Sequence, residues 1–107
     1  MSRRPRYSLI FAPETIDHLE AIERRYHRLI QKAIDEQLSY TPQKETRSRK
    51  PLDPPAEFGA TWELRCGPQN RFRIFFEVNT SERVVWILGI GVKEGNRLLV
   101  SGEEIEL

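Results

Sequence analysis

A single cysteine, Cys66, and two histidines, His18 and His27, are all that 107 residues supply of the softer metal ligands and nucleophiles. One thiol cannot close an internal disulfide, and the three residues have no standard zinc-site spacing. Apolar runs are short, none approaching the ~18 residues needed to cross a bilayer. The opening stretch MSRRPRYSLIF is too short and too charged for the apolar core of a signal peptide. The expectation is a cytoplasmic protein with no membrane contact, no metal and no cofactor. A glycine-rich phosphate loop is also lacking, because Gly89-Ile90-Gly91 falls inside a strand pattern and not at a strand-to-helix turn. There is no internal repeat and no low-complexity tract. A chain of 107 residues buries one modest core, so one domain over residues 1–107 is expected.

Charge is plentiful and unevenly spread. The net charge is +1, yet residues 1–50 hold 11 Lys or Arg against 7 Asp or Glu, and residues 51–107 hold 6 against 9. A nearly neutral chain with a basic segment points to a local anion site and not to a general polyanion coat.

Residues 7–11 alternate well enough for a short strand, with Tyr7, Leu9 and Phe11 on one face. Pro13 suits the start of a helix, and Glu14 and Asp17 favour its positive end. Ile16, Leu19, Ile22, Tyr26, Leu29, Ile30, Ala33, Ile34 and Leu38 then recur at three- and four-residue steps, the buried stripe of an amphipathic helix. One straight helix from Pro13 to Ser39 would run roughly 40 Å, longer than a domain of this size accommodates. A bend or tight helical hairpin near Glu23–His27 is the compact alternative, although no Gly or Pro marks it. Residues 42–60 carry four prolines and read as a long loop rich in Lys44, Arg47, Arg49 and Lys50.

Beyond the loop the period becomes two. Thr61–Arg65, Arg71–Val78 and Val84–Lys93 read as an antiparallel meander joined by Gly67-Pro68-Gln69-Asn70 and Asn79-Thr80-Ser81-Glu82. Trp62 and Leu64, then Phe72, Ile74, Phe76 and Val78, then Val84, Trp86, Leu88, Ile90 and Val92 share the core face. Arg97–Leu107 adds a short terminal strand. The fold class is α+β: an antiparallel sheet of about four strands, one face packed by a helical pair or a bent long helix and the other face open.

That open face carries Arg65, Arg71, Arg73 and Lys93, with Gly89 and Gly91 between bulky neighbours as the floor of a shallow groove. The planar guanidinium fork matches phosphate, Phe75 is placed to stack on a base, and Arg47, Arg49 and Lys50 close one side. The pattern fits a nucleic-acid backbone. Arg73 reads as a surface charge, Glu63 as an ion-pair partner of the neighbouring arginines, Cys66 as a structural residue, and His18 and His27 as solvated helix residues.

The order of parts, with RKPL at Arg49–Leu52, WELR at Trp62–Arg65, NRFRIFFEV at Asn70–Val78 and VVWILGIGVK at Val84–Lys93, resembles the RelE/ParE superfamily of bacterial type II toxins. The resemblance runs from Tyr7 to about Arg97. It implies a growth-inhibiting toxin neutralised by a cognate antitoxin, with operator DNA reached through that antitoxin. It further implies metal-independent cleavage of mRNA, often on the ribosome, which stops translation. The family's basic positions fall on Arg73, near Lys50 and near Lys93, with Arg97 as a substitute; the open-face pattern adds Arg65 to these as a catalytic candidate and gives Arg47, Arg49, Arg71, Phe75 and Arg97 as RNA contacts. The chain departs from ribonuclease members by carrying Thr61 and Glu63 where lysines occur, and by lacking a C-terminal Tyr or His. ParE-like relatives use the same fold to inhibit DNA gyrase, and a catalytically inactive, antitoxin-binding relative is the remaining alternative.

Overall fold

A computed structural model describes residues 5–105. The chain forms β1 (Ser8–Phe11), α1 (Glu14–Glu20), α2 (His27–Leu38), β2 (Arg49–Pro51), β3 (Trp62–Cys66), β4 (Phe72–Asn79), β5 (Val84–Glu94), β6 (Arg97–Val100) and β7 (Glu103–Ile105). The α+β class and the antiparallel meander stand as expected. The sheet is larger than the four strands anticipated: among the described residues it has seven, in the order β2-β3-β4-β5-β6-β7, with β1 parallel to the N-terminal part of β5. The additional strands come from the 42–60 loop, which contributes β2, and from the C-terminal segment, which folds into two strands. Its last two residues lie outside the described ones. No helix among the described residues is long and apolar enough to cross a membrane.

The helical region is a pair. Glu23 takes an extended backbone (φ −53, ψ 133), which separates α1 from a single 3-10 turn, Arg24–Tyr26, leading into α2. The break needs neither Gly nor Pro, because a side chain satisfies the freed backbone: His27 Nε2 donates to the Ile22 carbonyl at 2.8 Å. Ile30, Ile34 and Leu38, at steps of four, are fully buried on the sheet together with Ile22. The break also resets the helical phase, so Ile16 is 63% exposed and Leu29 falls outside the buried stripe.

On the helix side, Leu64, Phe72, Ile74 and Phe76 meet Val85, Ile87 and Ile90 in the main core. Phe75 pairs with Gly89 while Phe76 pairs with Ile87, leaving Leu88 as an extra residue on β5. This bulge shifts the alternation by one. Hence Val85 and Ile87 are buried, whereas Trp86, expected in the core, is 41% exposed.

The opposite sheet face is not open. Ala56, Ala60, Phe75 and Leu98 form a second buried cluster, extended by Leu52, Phe58, Leu88 and Ile105. The 52–60 segment and the C-terminal strands roof this half of the sheet. Gly89 makes the roof possible: a Cβ there would stand 2.8 Å from Phe58 Cζ, so the glycine holds a phenyl ring of the same chain and floors no groove.

Candidate functional site

The roof covers only part of the second face. Beyond Phe75, the β3–β4 register sets Arg65 directly opposite Arg73, and Arg73 in turn faces Gly91 on β5. One step further the Lys93 N–H donates to the Arg71 carbonyl at 2.8 Å, which aligns Arg71 with Lys93. The Glu94-Gly95-Asn96 turn then returns the chain so that Arg97 on β6 pairs with Glu94. Period-two alternation thus brings Arg71, Arg73 and Lys93 to one end of the sheet, and the β5–β6 turn adds Arg97.

Two depressions lie there. One of about 460 Å³ is lined by Arg73, Lys93, Asn96, Arg97, Leu98, Glu104 and Ile105. The other, of about 430 Å³, is lined by Gln69, Arg71, Arg73, Lys93, Glu94 and Gly95. They meet at Arg73 and Lys93. Each lining sets three cations against one carboxylate, Glu104 in the first and Glu94 in the second, an excess of hydrogen-bond donors.

Arg73 is only 8% exposed. Its Nε donates to the Asn70 carbonyl at 3.1 Å and its Nη1 to Glu63 Oε1 at 3.2 Å. The same Glu63 oxygen accepts from Arg65 Nε at 2.6 Å. Glu63 is 1% exposed, so a buried carboxylate joins two cations that face each other. Burial pulls the Arg73 guanidinium below its ordinary value, the Glu63 carboxylate pushes it back up, and Arg65 pulls it down. Arg71 stacks its guanidinium over Tyr26 and Phe72, 5.7 Å from each ring centre, which orients it without a carboxylate partner. Arg97 Nε approaches Glu104 Oε1 at 3.6 Å.

Several residues expected at the site are elsewhere. Arg49 is buried, and its Nη1 donates to the Gln37 carbonyl at 2.7 Å and to the Thr41 carbonyl. It closes the C-terminal end of α2, whose last carbonyls lack helical partners, and is not available to an external phosphate. Phe75 is fully buried against Phe58, ring centres 5.3 Å apart, so it stacks inside the protein and on no base. Arg47 is exposed but outside both linings. Lys50 stands opposite Glu63 in the β2–β3 register, yet its Nζ turns to Glu45 Oε2 at 3.5 Å. Cys66 is a protonated thiol, pushed up to about 11 by burial. Among the described residues no three His, Cys, Asp or Glu side chains gather as metal ligands.

Sequence reasoning missed Gln69, Asn96 and Glu104. The first two sit in segments recognised as turns, but nothing local says that the C-terminal hairpin folds back beside Arg73.

No protein-family model and no curated protein sequence matches the chain. Among solved structures, it is similar to a chain of the toxin–antitoxin complex RelBE2 from Mycobacterium tuberculosis. The TM-score is 0.63 and the identity 21%, over 82% of this chain and 99% of that one. The fold is therefore RelE-like.

Proposed function

We propose that the chain is the toxin of a type II toxin–antitoxin system and that it acts in the cytoplasm by cutting mRNA. The observation that carries this reading is the pair of cationic depressions meeting at Arg73 and Lys93, on a RelE-like fold. In the proposed reaction the RNA 2′-oxygen forms a bond to its own phosphorus while the bond to the 5′-oxygen breaks. The products are a 2′,3′-cyclic phosphate and a 5′-hydroxyl, with one proton leaving the 2′-hydroxyl and one reaching the departing oxygen. Charge on the five-coordinate phosphorus is offset by Arg73, through its free Nη2, and by Lys93. Arg71 and Arg97 hold the flanking backbone, one in each depression. The reaction requires no metal.

The partner is a cognate antitoxin, supported by the RelBE2 neighbour, which was solved as a toxin–antitoxin complex. An acidic or amphipathic segment lying over Arg73 and Lys93 suits the charge of the site.

A second reading, inhibition of DNA gyrase without RNA cleavage, is favoured by one observation: among the described residues no His or Tyr lines either depression, so neither lining offers an imidazole to move protons near neutral pH. One experiment separates the two. Purified chain is incubated with EDTA and mRNA, free or on translating ribosomes, alongside a gyrase supercoiling reaction. Cleavage leaving cyclic or 3′-phosphate ends is expected. Intact RNA in both settings, with supercoiling arrested, would overturn the ribonuclease reading.

A further inference from the structure

We infer that Glu63 is a positioning residue that fixes the Arg73 guanidinium at the junction of the two depressions, with Arg65 held beside it, for contact with an RNA backbone; this rests on reading the depressions as a phosphodiester site. A single carboxylate oxygen, Glu63 Oε1, accepts from Arg65 Nε at 2.6 Å and from Arg73 Nη1 at 3.2 Å. The remaining nitrogen contact of Arg73 is Nε to the Asn70 carbonyl. Two of Arg73's three nitrogens are therefore held, and its Nη2 is left to donate outward. Arg65 lines neither depression; it is held by Nε alone, and its side chain is 40% exposed, so its two terminal nitrogens are open to solvent beside the site.

Without the carboxylate, two cations directly opposite on neighbouring strands repel, and the flexible arginine stems part. With it, both forks keep fixed orientations before any ligand arrives, which removes the ordering cost from binding. The buried position matters as well: Glu63 is screened from solvent, so the carboxylate holds its two donors without competition from water.

Charge and positioning give opposite signs, which makes the inference testable. Glu63→Gln removes a negative charge next to a polyanion site. If bulk electrostatics ruled, RNA binding would tighten. If positioning rules, binding weakens although the protein has become more positive.

The test measures binding of a fluorescent single-stranded RNA with 2′-O-methyl groups, which cannot be cleaved, to the full chain below the melting temperature of each variant. Glu63→Gln is expected to weaken binding by about tenfold, the loss of one charge-assisted contact. The Arg65 Nε–H resonance, ordered in the parent chain, becomes mobile in the variant. Glu63→Asp keeps the charge but draws it back by one methylene, so it also weakens binding, and it decides the matter should Glu63→Gln fail to fold. Affinity equal to or tighter than that of the parent, in whichever variant folds, overturns the inference and leaves the phosphodiester reading standing. A parent chain that binds no RNA overturns both.

Discussion

Arg65 on β3 and Arg73 on β4 face each other in register, and one buried oxygen of Glu63 lies within 2.6 Å of the first and 3.2 Å of the second. Like charges directly opposite on adjacent strands destabilise a sheet. The shared Glu63 carboxylate offsets that repulsion, at the end of a face that is otherwise roofed by apolar groups.

Removing Arg73 tests the centre of that arrangement. Its position, 8% exposed and doubly hydrogen-bonded, corrects the expectation of a surface charge with little bearing on stability. Arg73→Ala is expected to relieve growth inhibition and also to cost about 1.5–3 kcal/mol, as loss of a charged hydrogen bond does. Arg73→Lys keeps the cation but not the fork, so it restores toxicity only in part. Growth assays at equal folded protein, with urea midpoints for each variant, check both halves. Full toxicity of Arg73→Ala would remove Arg73 from the site.

The roof over the second face has its own test. A Cβ at Gly89 would come 2.8 Å from Phe58 Cζ, so Gly89→Ala forces the ring or the strand to move. Overpacking of this kind costs about 1–3 kcal/mol. Because the clash is with one ring, Gly89→Ala combined with Phe58→Leu should destabilise less than the sum of the two changes. Additive denaturation energies would mean that the ring does not lie in the glycine's place.

The meander and the placement of Arg71, Arg73 and Lys93 were legible because each follows from a local period and a short connection, whereas the helical stripe fits one bent helix as well as two, since neither Gly nor Pro marks the break at Glu23. Phe72, Ile74 and Phe76 alternate without interruption and pack where alternation puts them. Trp86 does not, because the Leu88 bulge slips the pairing by one, and a bulge leaves no mark in a pattern that is apolar on both faces. Ile16 misleads for a similar reason, since the break at Glu23 turns α1 independently of α2. Arg49 and Phe75 looked like nucleic-acid contacts as long as the 42–60 segment was treated as a loop beside the sheet. In the fold that segment contributes a strand and a roof, which turns Arg49 under α2 and covers Phe75. Long-range closure of this kind has no local signal.

His18 gives the stability a pH dependence. The Ile90 N–H donates to His18 Nδ1 at 3.2 Å, a bond that needs the lone pair on that nitrogen. Burial lowers the imidazole below its ordinary value, while Glu14 and Asp17 pull it back up. The folded chain then binds this proton less readily than the unfolded one. The contribution is complete above the unfolded value of ~6.5 and is lost as pH falls through the lowered folded value. Denaturation midpoints from ~pH 8 to ~pH 5 should fall toward acid in the parent and less steeply in His18→Gln. Equal slopes would show that another group carries the acid sensitivity.

Glu104 supplies the counterpart to Glu63. It stands on β7 at the rim of the larger depression, 3.6 Å from Arg97 Nε, and both side chains are more than half exposed. An exposed pair of this kind contributes at most about 1 kcal/mol, so Glu104→Gln should leave the melting temperature nearly unchanged. Its effect on RNA should be opposite to that of Glu63→Gln. The rim carboxylate orders no buried donor; on the proposed reading it would compete with phosphate for Arg97 and repel the strand. Removing it frees one more cation for the backbone, so affinity should rise a few-fold at low salt. The slope of log affinity against log salt should steepen by about 0.7, the increment for one added phosphate contact on a single strand. Fluorescence anisotropy with the uncleavable RNA over a salt series reads both quantities. Weaker binding, or an unchanged slope, would mean that Arg97 does not reach the RNA backbone and that the cationic track ends at Arg73 and Lys93.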